Sequence, residues 1–355
     1  MSALTRLKLG LLPLADAAPL FVARECGFFT GQGLNVELTV EASWAGLRDK
    51  LAAGMLDAAQ LLAPMPLAAQ LGVDRLGVPM ETALTLSRNG NAITVSKALF
   101  EQLDAPAPEP IATGAALKRV IDADRAAGRP RRTFAHVFPF STHHYLLRDW
   151  LADAGIDPDR NVSLVVVPPP LVLKALRDGR IDGYCVGAPW GYAAEVEGIG
   201  RRLLATHTIR PGCAEKVLGV TGDWVRQHGS EHLALVAALI EAGRWLEHPG
   251  HRAEAAQMLI DARLIQAPDA CVRDALSDDR DDLLNPQFVF GAGDMLLPHH
   301  DDALWFLAQM KRWHQMPVAG VETGHLENAV KASYRVALHD QAMALARSVP
   351  APLAQ

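Results

Sequence analysis

A repeat inside the chain constrains its fold more than any other feature. Lys8-Leu9-Gly10-Leu11-Leu12-Pro13 can be laid on Phe134-Ala135-His136-Val137-Phe138-Pro139, a shift of 126 residues. At the same shift Asn35-Val36-Glu37-Leu38 meets Asn161-Val162-Ser163-Leu164. One residue short of that shift, the segment from Leu51 through Gly54 and Asp57 meets the segment from Leu176 through Gly179 and Asp182, and Pro64 meets Pro189. Self-similarity at a fixed offset marks a duplicated structural unit. Each copy reads strand, proline loop, helix, strand, helix, glycine turn, strand. The helices after the proline loops are expected over Ala18 to Gly27 and His144 to Ala154. Gly54 and Gly179 stand where a helix C-terminus needs a left-handed residue. The apolar runs are too continuous for half-exposed strands and suit parallel strands buried on both faces, joined by right-handed crossovers.

The expected architecture is α/β: two similar lobes with a ligand cleft between them and a helical C-terminal region. One large doubly wound sheet is the alternative. The first part of lobe 1 is expected over residues 1–88, lobe 2 over 89–205, and a return to lobe 1 plus the helical region over 206–355. Crossover linkers fall near Thr85 to Asn91 and Arg201 to Thr208. Glu231 to Leu246 and Arg252 to Ala262 carry apolar residues at helical spacing and are assigned to packing around the first lobe. The proline-rich piece from Asp104 to Pro110 reads as a surface loop. Two such lobes turn strand ends and helix N-termini toward one cleft, the usual ligand position in open parallel sheets.

The 355 residues suffice for two ordinary domains, and the net charge of −6 gives no support to a broad nucleic-acid surface. Cys26, Cys185, Cys213 and Cys271 lie outside zinc spacings and read as isolated reduced thiols. The segment from Met1 to Leu12 reads as the start of a first strand rather than a secretory signal, so a cytoplasmic location is expected. No apolar run is long enough to span a membrane. Nucleophile elbows, metalloprotease motifs, P-loops and dinucleotide fingerprints are all missing, which favours a binder over an enzyme. His143-His144 is the one metal-like or catalytic pair in the cleft region, yet adjacent histidines do not point the same way. His299-His300-Asp301-Asp302 reads as a helix start capped by aspartate.

The run from Ala17 to Leu38, with Glu41 to Trp44, Arg88 to Val95, Phe138 to His143, Val167 to Pro170, Gly179 to Trp190 and Glu215 to Thr221, resembles the type II solute-binding proteins of ABC importers. More narrowly it resembles their nitrate/bicarbonate-binding branch. Within that branch it is most similar to cytoplasmic NasS-type nitrate/nitrite sensors, which hold a NasT-type RNA-binding antiterminator with an ANTAR domain and release it when ligand binds. The resemblance implies a type II periplasmic-binding-protein-like fold, a nitrate or nitrite ligand, no cofactor and no metal. An exported receptor for nitrate or bicarbonate, or an enzyme of the related pyrimidine-precursor kind, is the competing implication.

The anion site implied by the resemblance comprises Trp44, Gly90, Asn91, His143, Pro169 and Lys216. Read from the residues alone, Trp44 also fits a core aromatic, Asn91 a turn, His143 a helix cap and Lys216 a surface charge. Nitrate is planar, singly charged and weakly hydrated; it needs one cation and several N–H donors. Lys216 would supply the charge, and Asn91, the Trp44 indole and the His143 ring the donors. Lysine in place of pocket carboxylates is expected to favour a metal-free monovalent anion. Asp16 is read as a helix N-cap, and Met65, Pro66 and Trp190 as packing residues. Phe140, Asn91 and Ala188 depart from the family pattern and bear on pocket size.

Overall fold

The computed structural model describes residues 4–104, 106–279, 281–316 and 323–348. Among the described residues, ten strands form two five-stranded sheets: β1 Thr5–Leu11, β2 Leu34–Val40, β3 Ala58–Leu62, β4 Met80–Arg88, β5 Asn91–Ser96, β6 Thr133–His136, β7 Ser163–Val166, β8 Gly183–Gly187, β9 Gly200–Ala205 and β10 Ala214–Thr221. Their orders are β2-β1-β3-β10-β4 and β7-β6-β8-β5-β9. The two sheets superpose element for element on the sequence repeat, with β1, β2 and β3 matching β6, β7 and β8. The two-lobed α/β expectation therefore holds.

The expectation of all-parallel sheets does not. In each lobe the first three strands are parallel, but the fourth enters from the other lobe and runs antiparallel, as β10 does beside β3 and β5 beside β8. A strand that crosses between lobes arrives from the opposite end of the sheet, and the local apolar pattern carries no sign of that direction. The strands β3, β8 and β10 inside the sheets, and the edge strand β4, are buried along their whole length, which explains their continuous apolar runs.

The turn glycines behave as the repeat requires: Gly54 has φ 69° and Gly179 φ 65°. Gly179→Ala is expected to cost about 1 kcal/mol, because alanine pays a steric penalty in the left-handed region; a urea denaturation midpoint unchanged from the parent would contradict it. Asp104 and residues 106–109 form the expected surface loop, with residue 105 outside the described residues, and Pro110 already begins the helix Pro110–Ala126.

The connection between β4 and β5 is only Asn89 and Gly90. It is laced to the return connection, with Asn89 N–H donating to Cys213 O at 2.9 Å and Gly212 N–H to Asn89 Oδ1 at 2.9 Å. It is also laced to a strap from the C-terminal region: Gly90 N–H donates to Pro286 O at 3.1 Å and Asn89 Nδ2 to Gln287 O at 3.0 Å.

The C-terminal region is helical, as expected, but it does not serve lobe 1 alone. The helix Gly229–Leu246 packs on lobe 1 against Ala18–Glu25. The strap and the helix His300–Arg312 reach lobe 2. Arg202 Nη1 donates to Leu284 O at 3.1 Å, and Asp149 takes Gln309 Nε2 at 2.7 Å and Arg312 Nη1 at 2.8 Å. These partners lie too far apart in sequence for periodicity to reveal. The start of His300–Arg312 also differs from expectation. His299 is its cap residue, without a side-chain cap, and Asp302 instead grips the buried Arg88 guanidinium at 2.9 Å. No helix among the described residues is long and apolar enough to cross a membrane.

Candidate functional site

The cleft is built where both halves of the repeat present their loops. Ser43 caps the helix Trp44–Ala52 by accepting from Gly46 N–H at 3.1 Å, which fixes Trp44 as the first helical residue. Ser141 caps Thr142–Asp153 in the same way, accepting from His144 N–H at 3.1 Å, and its own hydroxyl donates to Phe138 O at 2.6 Å. That double anchor places Thr142 and His143 at the helix start, facing lobe 1. β5 brings Asn91 and β10 brings Lys216. The lobes touch here, with Ala15 N–H donating across the cleft to Ala188 O at 3.0 Å.

Four of the six expected side chains gather in this enclosure. Lys216 Nζ sits 5.5 Å from the centroid of the Trp44 ring. Its charge acts on His143, whose pKa falls well below the usual value, first through burial and then through Lys216. Trp44, Asn91, His143 and Lys216 are each at most 1% exposed. Trp44 Nε1, both polar atoms of the Asn91 amide, both His143 ring nitrogens and Lys216 Nζ make no aligned hydrogen bond to protein. Leaving one buried polar group unsatisfied typically costs about 1–3 kcal/mol, so a cluster of them is a site made for something else. Burial keeps His143 neutral, with one N–H to donate and one nitrogen to accept.

Gly90 and Pro169 bring no side-chain polar atom. Gly90 has φ 103°, and a Cβ there would fall 1.9 Å from Phe288 Cε1, so its place is a close approach of hinge and strap. Pro169 is buried in the turn Pro169–Leu171 after β7. The two adjacent histidines diverge: His144 Nδ1 meets His136 Nε2 at 3.1 Å, which leaves only His143 in the cluster. Met65, Pro66 and Trp190 are buried.

Two sequence expectations change. Asp16 caps nothing: it lies in the turn Ala15–Ala17, pairs with Lys216 Nζ at 2.9 Å and accepts Gln60 Nε2 at 2.7 Å. The pocket also holds carboxyl groups beside its lysine, since Glu215 is buried 3.9 Å from Lys216 Nζ and takes the Thr142 hydroxyl on Oε2. Lys216 therefore does not present an unopposed charge. Strict alternation would send Glu215 and Lys216 to opposite faces of β10. The register against β4 shifts on both sides of Lys216, an irregularity that re-aims side chains. An acid beside a lysine in an otherwise apolar strand was the one sequence signal for Glu215.

Burial pushes the Glu215 acid up to about 7, Asp16 adds to the rise, and Lys216, Thr142 and the neighbouring Asn91 amide oppose it. Its folded pKa thus lies above the unfolded one. Its contribution to stability is complete below about pH 4.5 and is lost as pH rises through about 7.

The chain matches the NMT1-like family over residues 2–260. It is 38% identical over 313 residues to the bicarbonate transport ATP-binding protein CmpC of Synechococcus elongatus, covering 88% of this chain and 46% of CmpC. The chain thus spans about half the length of the CmpC-type relatives it matches. It is 33% identical over 326 residues to the bicarbonate-binding protein CmpA of the same organism, covering 86% of this chain and 71% of CmpA. Among solved structures, the periplasmic nitrate-binding protein NrtA from Synechocystis PCC 6803 superposes with a TM-score of 0.86 at 28% identity, over 99% of this chain and 91% of NrtA. Two lobes closed on a polar enclosure, a matching family and these relatives lead to one conclusion: the chain belongs to the NMT1-like family and is a homologue of the nitrate- and bicarbonate-binding proteins of ABC importers.

Proposed function

We propose that this protein binds nitrate or nitrite between its lobes and acts as a cytoplasmic sensor: without ligand it holds a NasT-type, ANTAR-domain RNA-binding antiterminator, and lobe closure on the anion releases it. The observation that carries the ligand is the cluster of Trp44, Asn91 and His143, drawn from both lobes and fully buried without aligned partners, around the Lys216 ammonium that Asp16 pairs. N–H donors around one ammonium suit a small planar oxyanion, and a site assembled from two lobes favours their closure. The C-terminal region supports the output. It is bonded to lobe 1 through Arg88–Asp302 and to lobe 2 through Arg312–Asp149, so a partner docked on it senses their relative position. The net charge of −6 assigns RNA contact to the partner rather than to this chain. No catalytic step is part of this reading.

A receptor that hands nitrate or bicarbonate to a membrane importer is the second reading, favoured by the names of the relatives. Calorimetry with nitrate, nitrite and bicarbonate tests the ligand: nitrate or nitrite should bind with a Kd of about 1 μM, roughly −8 kcal/mol. Heat from none of the three would end both readings. Co-purification with the antiterminator, with and without saturating nitrate and nitrite, tests the output. A complex indifferent to both anions would leave only the transport reading, and fractionation to the periplasm would favour it.

A further inference from the structure

The enclosure holds one ammonium and two carboxyl groups, and the distances decide which carboxyl the ammonium serves. Lys216 Nζ lies 2.9 Å from Asp16 Oδ2 and 3.9 Å from Glu215 Oε2. Asp16 is held in place from the other side by Gln60, whose amide oxygen accepts Leu12 N–H at 3.3 Å while its Nε2 donates to Asp16 Oδ1. Asp16 and Lys216 therefore cancel. His143 adds no charge, because burial keeps it neutral. An ionised Glu215 would leave the cluster one negative charge in excess, and a bound monoanion would make it two, among side chains that are themselves fully buried. Like charges at this range in a poorly screened site repel strongly.

The surroundings of Glu215 are compatible with this. Oε2 accepts the Thr142 hydroxyl, while Oε1 is buried without an aligned hydrogen bond, and the Asn91 amide lies beside the carboxyl. A neutral carboxyl has this asymmetry: its carbonyl oxygen accepts, and its hydroxyl has a proton to give. We propose that Glu215 contacts the ligand as the neutral acid, donating Oε1–H to one oxygen of a monovalent oxyanion, so that the pocket takes up the anion and one proton together. This rests on the anion-receptor reading and deepens it, naming the group that completes the donor set. The proton comes from solvent, the carboxylate becomes a carboxylic acid, and the ligand stays an anion.

Several charged and titratable groups act on Glu215. Lys216 adjoins it on β10, Asp16 faces it from the turn Ala15–Ala17, and Asn91 from β5. Thr142 contacts it from the helix start, where the neighbouring His143 is buried beside Lys216; the Cys185 and Cys213 thiols act on it from β8 and from the residue before β10. Burial holds both thiols protonated and the histidine neutral, and pushes the Glu215 acid up to about 7.

Calorimetry of nitrate binding by the full chain, in two buffers of different ionisation enthalpy, reads the proton count directly. Nitrate is the probe because it stays a monoanion throughout. From about pH 6 to about pH 8.5, proton uptake per nitrate should rise from near zero toward one, and Kd should rise about tenfold per pH unit above about 7.5. In Glu215→Gln, which keeps one donor and one acceptor, uptake should vanish and Kd should be flat with pH. A flat Kd with no uptake in the parent protein overturns the proposal, as does uptake that persists in Glu215→Gln. Bicarbonate is the counter-probe, since its own hydroxyl can pair with an ionised carboxylate; bicarbonate binding without proton uptake, where nitrate does not bind, also overturns it. Nitrate, nitrite and bicarbonate all failing to bind at every pH removes the receptor reading itself, a different failure. The parent measurement needs no variant, so the proposal stays testable if Glu215→Gln does not fold.

Discussion

Lys216→Ala is expected to lose nitrate binding and to destabilise the protein at the same time. The lysine lies in the fully buried strand β10, paired with Asp16 and close to Glu215 and the Trp44 ring. Removing it leaves the Asp16 carboxylate buried with Gln60 as its polar neighbour. Breaking one side of a buried ion pair typically costs about 3–5 kcal/mol of stability. Loss of a buried charged contact to a ligand costs about 2–5 kcal/mol of affinity, on the order of 30-fold to several thousand-fold. The double variant Asp16→Asn with Lys216→Met separates the effects. With both charges gone, the urea midpoint should recover toward the parent, because apolar or neutral replacements of a buried pair are often tolerated. Nitrate binding should not recover. Retention of nitrate affinity within about threefold in Lys216→Ala would show that the anion does not use this cation.

Gly90→Ala is expected to damage the hinge more than any single-methyl addition elsewhere in the cleft. The residue has φ 103°, which alanine adopts only with strain, and the added Cβ would sit 1.9 Å from Phe288 Cε1. Phe288 is 1% exposed and stacks on Phe290 with ring centroids 5.2 Å apart, so it has little room to yield. Overpacking typically costs about 1–3 kcal/mol, with the backbone strain adding about 1–2 kcal/mol. Phe288→Ala in the same background should relieve the steric part and leave the strain. Thermal unfolding of the two single variants and the double variant closes the cycle, and purely additive effects would mean that the ring and the hinge do not collide. Because Gly90 joins β4 of one lobe to β5 of the other, the same variant should also weaken anion binding through altered closure.

The duplicated pattern of strand, proline loop, helix and glycine turn is local information, and it specified both lobes, their matching cores and the turns at Gly54 and Gly179. Local propensity and burial are written along the chain at the period of each element, so these features can be read without knowing what packs on what. Trp44, Asn91, His143 and Lys216 were in view through the family resemblance, because read from the residues alone each also fitted a core aromatic, a turn, a helix cap or a surface charge.

What the tertiary structure alone decided depends on contacts between distant residues. β5 and β10 run antiparallel because each crosses from the other lobe. The helix His300–Arg312 binds lobe 2 through Asp149, 163 residues from Arg312. Asp16 belongs to Lys216 and not to a helix cap because the first proline loop and β10 converge in space. Glu215 faces the site because the register of β10 slips beside Lys216. Charge balance in an enclosure is the sum over every group that reaches it, and chain order does not record which groups those are. The sequence by itself therefore determined a two-lobed α/β fold, while only the folded chain set the charge around the buried Lys216, because Asp16 reaches it from a distant loop and the slipped register of β10 turns the neighbouring Glu215 toward it.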